Sequence, residues 1–217
     1  MSEIGKYIKN TLSYQQYADK WLSYDQYLRL IDELLLEGKT TGPNQSYKMF
    51  QYGKLNRQRM RRLEKTFHLD DEVRQAVAAV EREMIWLVIT EGWCGDAAQN
   101  VPLIEKLAAE NHRIETRYIL RDENPELMDQ FLTNGARSIP KLIAIDRQTG
   151  DVLGTWGPRP ATAQQMFYEM RAAGVEKSII TEDIQRWYLA DHGKSLQAEF
   201  VKLLEDWSPR QKVAKAA

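Results

Sequence analysis

The apolar positions of this chain change period twice. Tyr14, Tyr17, Trp21, Tyr24, Leu28, Ile31 and Leu35 step by three and four residues, which puts them on one face of a helical segment. Ser13 with Gln16, and Ser23 with Gln26, each have the S-x-x-Q spacing of a capping box, so two helix starts are predicted, the second closing at Gly38. The stretch 40–46 holds Gly42, Pro43 and Asn44 and reads as a loop. Met60, Leu63 and Phe67 then predict a short helix, and Val73, Ala76, Val77, Val80 and Met84 another.

At Met84 the pattern switches. Met84-Ile85-Trp86-Leu87-Val88-Ile89-Thr90 is continuous and rich in β-branched and aromatic residues, as expected of a strand buried on both faces. Val101, Ile104, Leu107 and Ala108 return to helical spacing; 113–120 reads as a strand and 125–132 as a short helix. The runs 141–146 and 151–156 flank Arg147-Gln148-Thr149-Gly150, a hairpin-turn composition. The order strand, helix, strand, helix, strand, strand predicts parallel central strands and a final antiparallel hairpin. After Gly157-Pro158-Arg159-Pro160 the period is helical again, through Met166, Phe167 and Met170, then Ile184, Trp187 and Tyr188 behind a Thr181 cap, then Leu196, Phe200, Leu203 and Trp207. The expected organisation is an α/β core over 81–175, a helical extension over 1–80 packing on it, C-terminal helices over 176–209 and a flexible tail over 210–217.

Composition narrows the function classes. With 30 Lys+Arg against 31 Asp+Glu the formal net charge is −1, so no global field draws the chain to nucleic acid or anionic lipid. The single cysteine rules out an internal disulfide and a cysteine zinc site. His68, His112 and His192 are scattered without metal-ligand spacing, and no nucleotide or serine-hydrolase motif is present, so no metal and no cofactor is expected. Residues 1–10 are polar and the run 84–89 is too short to span a bilayer; the expectation is a cytoplasmic protein without a membrane partner. Lys54, Arg57, Arg59, Arg61, Arg62 and Lys65 form one basic run, read as a solvated helix face rather than a nucleic-acid patch because no stacking aromatics accompany it; an anionic protein partner also fits. Oligomeric state has no signal in the sequence.

The chemistry-bearing residue is Cys94, in the turn between the first strand and the helix that follows. Unpaired amides and the positive end of a helix dipole favour a thiolate there, while the nearby Asp96 carboxylate opposes it. A lone cysteine also fits a buried core position, where free thiols are common. Placement at a strand-to-helix turn, where α/β folds put their ligands, favours an accessible thiol.

Three separated features make the sequence similar to the thioredoxin superfamily. Trp93-Cys94-Gly95-Asp96-Ala97 resembles the Trp-Cys-Gly-Pro-Cys active site, as in a bacterial branch with this variant motif; Pro102, eight residues after Cys94, stands where thioredoxins kink the same helix; and Gly135-Ala136-Arg137-Ser138-Ile139-Pro140 followed by Lys141-Leu142-Ile143-Ala144-Ile145 resembles the cis-proline segment and its strand. The resemblance covers about 84–173 and implies a thioredoxin-like central mixed sheet with N-terminal and C-terminal helical extensions. It further implies Cys94 as the attacking thiol, Trp93, Gly95, Asp96 and Ala97 as its surroundings, and a cis Ile139–Pro140 bond facing it.

Two departures matter. Ala97 replaces the resolving cysteine, so a mixed disulfide on Cys94 persists until an external thiol attacks it. Val88 replaces the buried aspartate that many thioredoxins use as a proton relay. Asp96 reads as a polar helix-start residue rather than a catalytic acid. The resemblance thus implies monothiol disulfide exchange with protein or low-molecular-weight thiols and disulfides; a non-catalytic adaptor and a thiol redox sensor are the alternatives.

Overall fold

The computed structural model describes residues 12–209, and the expectations for residues 1–10 and for the tail from Arg210 fall outside them. Of the two predicted helix starts, only the second becomes an α-helix. Tyr14–Lys20 is a 3₁₀ stretch whose Ser13 makes no capping bond, whereas α1 (Tyr24–Leu36) opens on a complete capping box between Ser23 and Gln26. The short helix expected around Met60 is the second half of a 20-residue helix, α2 (Tyr47–Thr66). Its buried positions include Gly53, Asn56 and Arg57, so polar residues occupy the face by which periodicity would have found its first half. Helix α3 (Asp71–Ala78) follows and ends before Met84, which belongs to the sheet.

The sheet has the order β2-β1-β3-β4. Strand β1 (Met84–Thr90) is buried along its whole length, as a continuous apolar run requires. It pairs in parallel with β2 (Ile114–Leu120), through the crossover helix α4 (Gly95–Ala109). Strand β3 (Lys141–Asp146) lies antiparallel to β1, so the parallel relation expected of the central strands holds for β1 and β2 alone. The short helix α5 (Pro125–Asp129) connects β2 towards β3, and β4 (Val152–Trp156) closes the hairpin. Mixed pairing puts the C-terminal ends of β1 and β2 and the N-terminal end of β3 along one edge, where Cys94 and Pro140 meet.

Three helices complete the chain: α6 (Ala161–Ala172), α7 (Lys177–Asp191) and α8 (Lys194–Trp207). Helix α7 begins after Glu176 rather than at Thr181, whose hydroxyl instead bonds back to the Lys177 carbonyl inside the helix. Helix α8 joins the main core, Trp207 and Phe200 packing edge-on and tilted against Trp86 of β1. Helices α6 and α7 pack mostly on each other, around Ala163, Ile180, Ile184 and Tyr188, as a second cluster separate from that core. No helix among the described residues is long and apolar enough to cross a membrane.

Candidate active site

Cys94 is the N-cap of α4, its sulfur 3.5 Å from the Ala97 amide, and its thiol donates to the Ile139 carbonyl at 3.3 Å. The Ile139–Pro140 bond is cis, as is Gly157–Pro158. The two proline loops touch: Gly157 has φ +109°, and a Cβ there would collide with the Pro140 carbonyl oxygen, so glycine is needed for both conformation and space. Lys141, buried just after Pro140, donates to the Gly157 carbonyl at 3.3 Å.

The expected accessible thiol is not found. Cys94 is only 8% exposed. Gln185 of α7 stands 3.2 Å and Arg59 of α2 3.6 Å from the position a Cβ on Gly95 would take, so the helical elements before and after the core both close over the turn. Burial pushes the Cys94 thiol up to about 12; the Asp96 carboxylate adds to that, and amide hydrogen bonds from Ala97 and Asp96 together with Arg159 only partly offset it. The helix end is present, but desolvation outweighs it.

Asp96 is more than a helix-start residue. Arg159 pairs with its Oδ2 at 2.6 Å, the Tyr188 hydroxyl donates to its Oδ1 at 3.0 Å, and the Asn100 side-chain amide donates both to the Asp96 carbonyl and to the Tyr188 oxygen, each at 2.9 Å. Burial pushes the Asp96 carboxyl up, against the pull of Arg159 and Tyr188. A further bond from Gln99 to Gln185, 2.8 Å, makes the contact between α4 and α7 largely polar. Val88 is fully buried and carries no titratable group, and Ala97 is 1% exposed beside Cys94.

On the other side of the thiol, Trp93 is stacked by the Arg121 guanidinium at 4.7 Å. The turn before it is pinned by the N-terminal extension: the Gly92 amide donates to Thr41 and the Asn56 amide donates to the Gly92 carbonyl. Glu91, completely buried, accepts from the Asp122 amide with one oxygen while the other has no partner; burial lifts its carboxyl to about 7. Periodicity singled out none of Arg59, Glu91, Arg159, Gln185 or Tyr188 as site residues. The one available signal was Gln99-Asn100, two amides between the apolar residues Ala98 and Val101 of α4. Among the described residues no group of His, Cys, Asp and Glu side chains is placed to hold a metal ion.

Residues 42–173 match the protein family described as thioredoxin. Two solved structures are similar over 85% of this chain and 98% of their own, each with a TM-score of 0.52: a protein of unknown function from Pseudomonas aeruginosa, 17% identical, and an HIV epitope scaffold, 18% identical. At that identity they speak for the fold alone. None of the curated proteins matches.

Proposed function

The chain belongs to the thioredoxin family, and from that premise we propose that it carries out thiol–disulfide exchange by a monothiol route through Cys94. The observation that carries this reading is the position of the Cys94 thiol, at the N-cap of α4 and hydrogen-bonded to the carbonyl that precedes Pro140. The Cys94 thiolate attacks one sulfur of a disulfide R–S–S–R. That S–S bond breaks, a Cys94–S–S–R bond forms, and the departing R–S⁻ takes up the proton Cys94 released. Ala97 supplies no second thiol, so an external thiol R′–SH attacks the adduct, yielding R–S–S–R′ and the free Cys94 thiol.

With its thiol pushed up to about 12 by burial, the closed protein keeps Cys94 as the protonated thiol at pH 7, so exchange runs through molecules in which the turn is uncovered. The test is intact mass after exposure to 2-hydroxyethyl disulfide. Wild type should gain one half-disulfide, Cys94→Ser none, and 2-mercaptoethanol should remove it; repeated turnover should need that added thiol. The burial of Cys94 favours a second reading, a non-catalytic thioredoxin-like binding protein. It takes over if Cys94 labels only in denaturant.

A further inference from the structure

The basic run of α2 is not one solvated face. Arg57 is buried and held by Asp32 and Glu64, and Arg61 reaches the same Asp32 at 3.0 Å. Arg59 turns the other way. Its guanidinium donates to the neutral Asn56 Oδ1 at 2.9 Å, forms no ion pair among the described residues, feels the Asp96 carboxylate only through space, and stands 3.6 Å from the position of a Gly95 Cβ. Asp96, the carboxylate whose charge acts on Arg59, is already bound by Arg159 and Tyr188. Two arginines and one aspartate therefore surround the Cys94–Gly95 turn, leaving a surplus positive charge. A half-buried cation without a counter-ion is costly in a purely structural role, because desolvation is not offset by an ion pair.

We infer that Arg59 is a specificity-determining residue that selects anionic low-molecular-weight disulfides, those bearing a carboxylate close to the sulfur, for exchange at Cys94. The inference rests on the exchange reading and names its substrate class. An anionic group arriving over Gly95 meets a guanidinium that shares Asp96 with Arg159, in a partly desolvated setting where a charge contact is screened less than on an open surface. A cationic disulfide meets repulsion at the same place. Arg62, one turn further along α2 and in no ion pair among the described residues, adds to the same potential at the rim of a cavity of about 430 Å³ between α2, α4 and the α7–α8 corner. The carboxylates of that cavity wall bond within the wall, Asp70 with Gln197 and Asp191 with Ser195, and neither reaches Arg59.

Three small disulfides of similar length but different charge test this: 3,3′-dithiodipropionate, 2-hydroxyethyl disulfide and cystamine, compared by the rate of adduct formation on Cys94 at low salt and one pH. Wild type should react in the order anionic, neutral, cationic, with roughly a tenfold spread between the extremes that shrinks at high salt. Arg59→Gln should collapse the spread, Arg59→Lys should keep it, and exposed Lys54→Gln should leave it unchanged. A ratio that is flat in wild type, or unaltered in a folded Arg59→Gln, overturns the inference while exchange itself stands. Should no disulfide react, exchange fails and the charge preference is read in Cys94→Ser by thermal shift: a rise with 3,3′-dithiodipropionate that Arg59→Gln abolishes supports the anion site, and equal shifts for the acid and the alcohol overturn it.

Discussion

Glu91 stands at the end of β1, three residues before the thiol, and is a buried carboxyl with one oxygen unpartnered. Its value of about 7 in the folded protein lies above its ordinary 4.5, so the native state holds this proton more tightly than the unfolded chain does. The stability that Glu91 contributes is therefore fully present below pH 4.5 and is lost as pH rises through 7. Replacing it with Gln removes that dependence. The stability of Glu91→Gln relative to wild type should move in favour of the variant by on the order of 3 kcal/mol between pH 4 and pH 8, as read from urea midpoints. A difference that stays constant with pH would mean the carboxyl is not desolvated as described. Cys94 shows the same conflict with another outcome for function: the N-cap position that would stabilise a thiolate is legible in the sequence, whereas the burial that opposes it comes from residues distant along the chain.

At the scale of elements, α7 decides how closed the site is. It meets the first turns of α4 through Tyr188 with Asp96 and Asn100 and through Gln185 with Gln99, while its apolar side packs on α6. Polar docking of this kind is worth little net per bond, about 1 kcal/mol, and gives way before an apolar core does. Tyr188→Phe removes the donor to Asp96 and the acceptor for Asn100 at once. Native Cys94 should then react with iodoacetamide several-fold faster at pH 8, with a loss of about 1–3 kcal/mol from the newly unsatisfied buried groups. Unchanged labelling in that variant would show that α7 does not control access. In the sequence α7 was visible as helical but misplaced at its start, because a threonine inside a helix and a threonine at its cap look alike until the backbone bond is known.

Across the whole molecule, the last helix is tied to the first strand by aromatic contacts. Trp207, 2% exposed, packs edge-on against both Trp86 and Phe200, and Phe200 also meets Trp156 of β4. Trp207→Ala should lower unfolding stability by about 3–5 kcal/mol in a denaturant titration, since the void opens between α8 and Gly154 of β4, which has no side chain to fill it. A loss under about 1 kcal/mol would mean that α8 is dispensable to the core. Tyr27, stacked on Tyr118 of β2, anchors α1 to the sheet from the other end of the chain.

Local chemistry made part of this protein legible from sequence. A run of six apolar residues, 84–89, has to be buried on both faces, and so the central strand could be placed; Ser23 and Gln26 have to cap a helix, and so its start could be. The Trp-Cys-Gly turn before a helical pattern located the thiol. What only the tertiary structure decided depends on contacts between residues far apart. Gln185 lies 91 positions after Cys94 and Arg59 lies 35 before it, yet both stand over the same turn. The same holds for Arg159 on Asp96 and for the division of the basic run between Asp32 and the Cys94–Gly95 turn. Periodicity reports which face of an element is apolar and is silent about which element covers it; desolvation, which sets the state of Cys94, is a property of that cover.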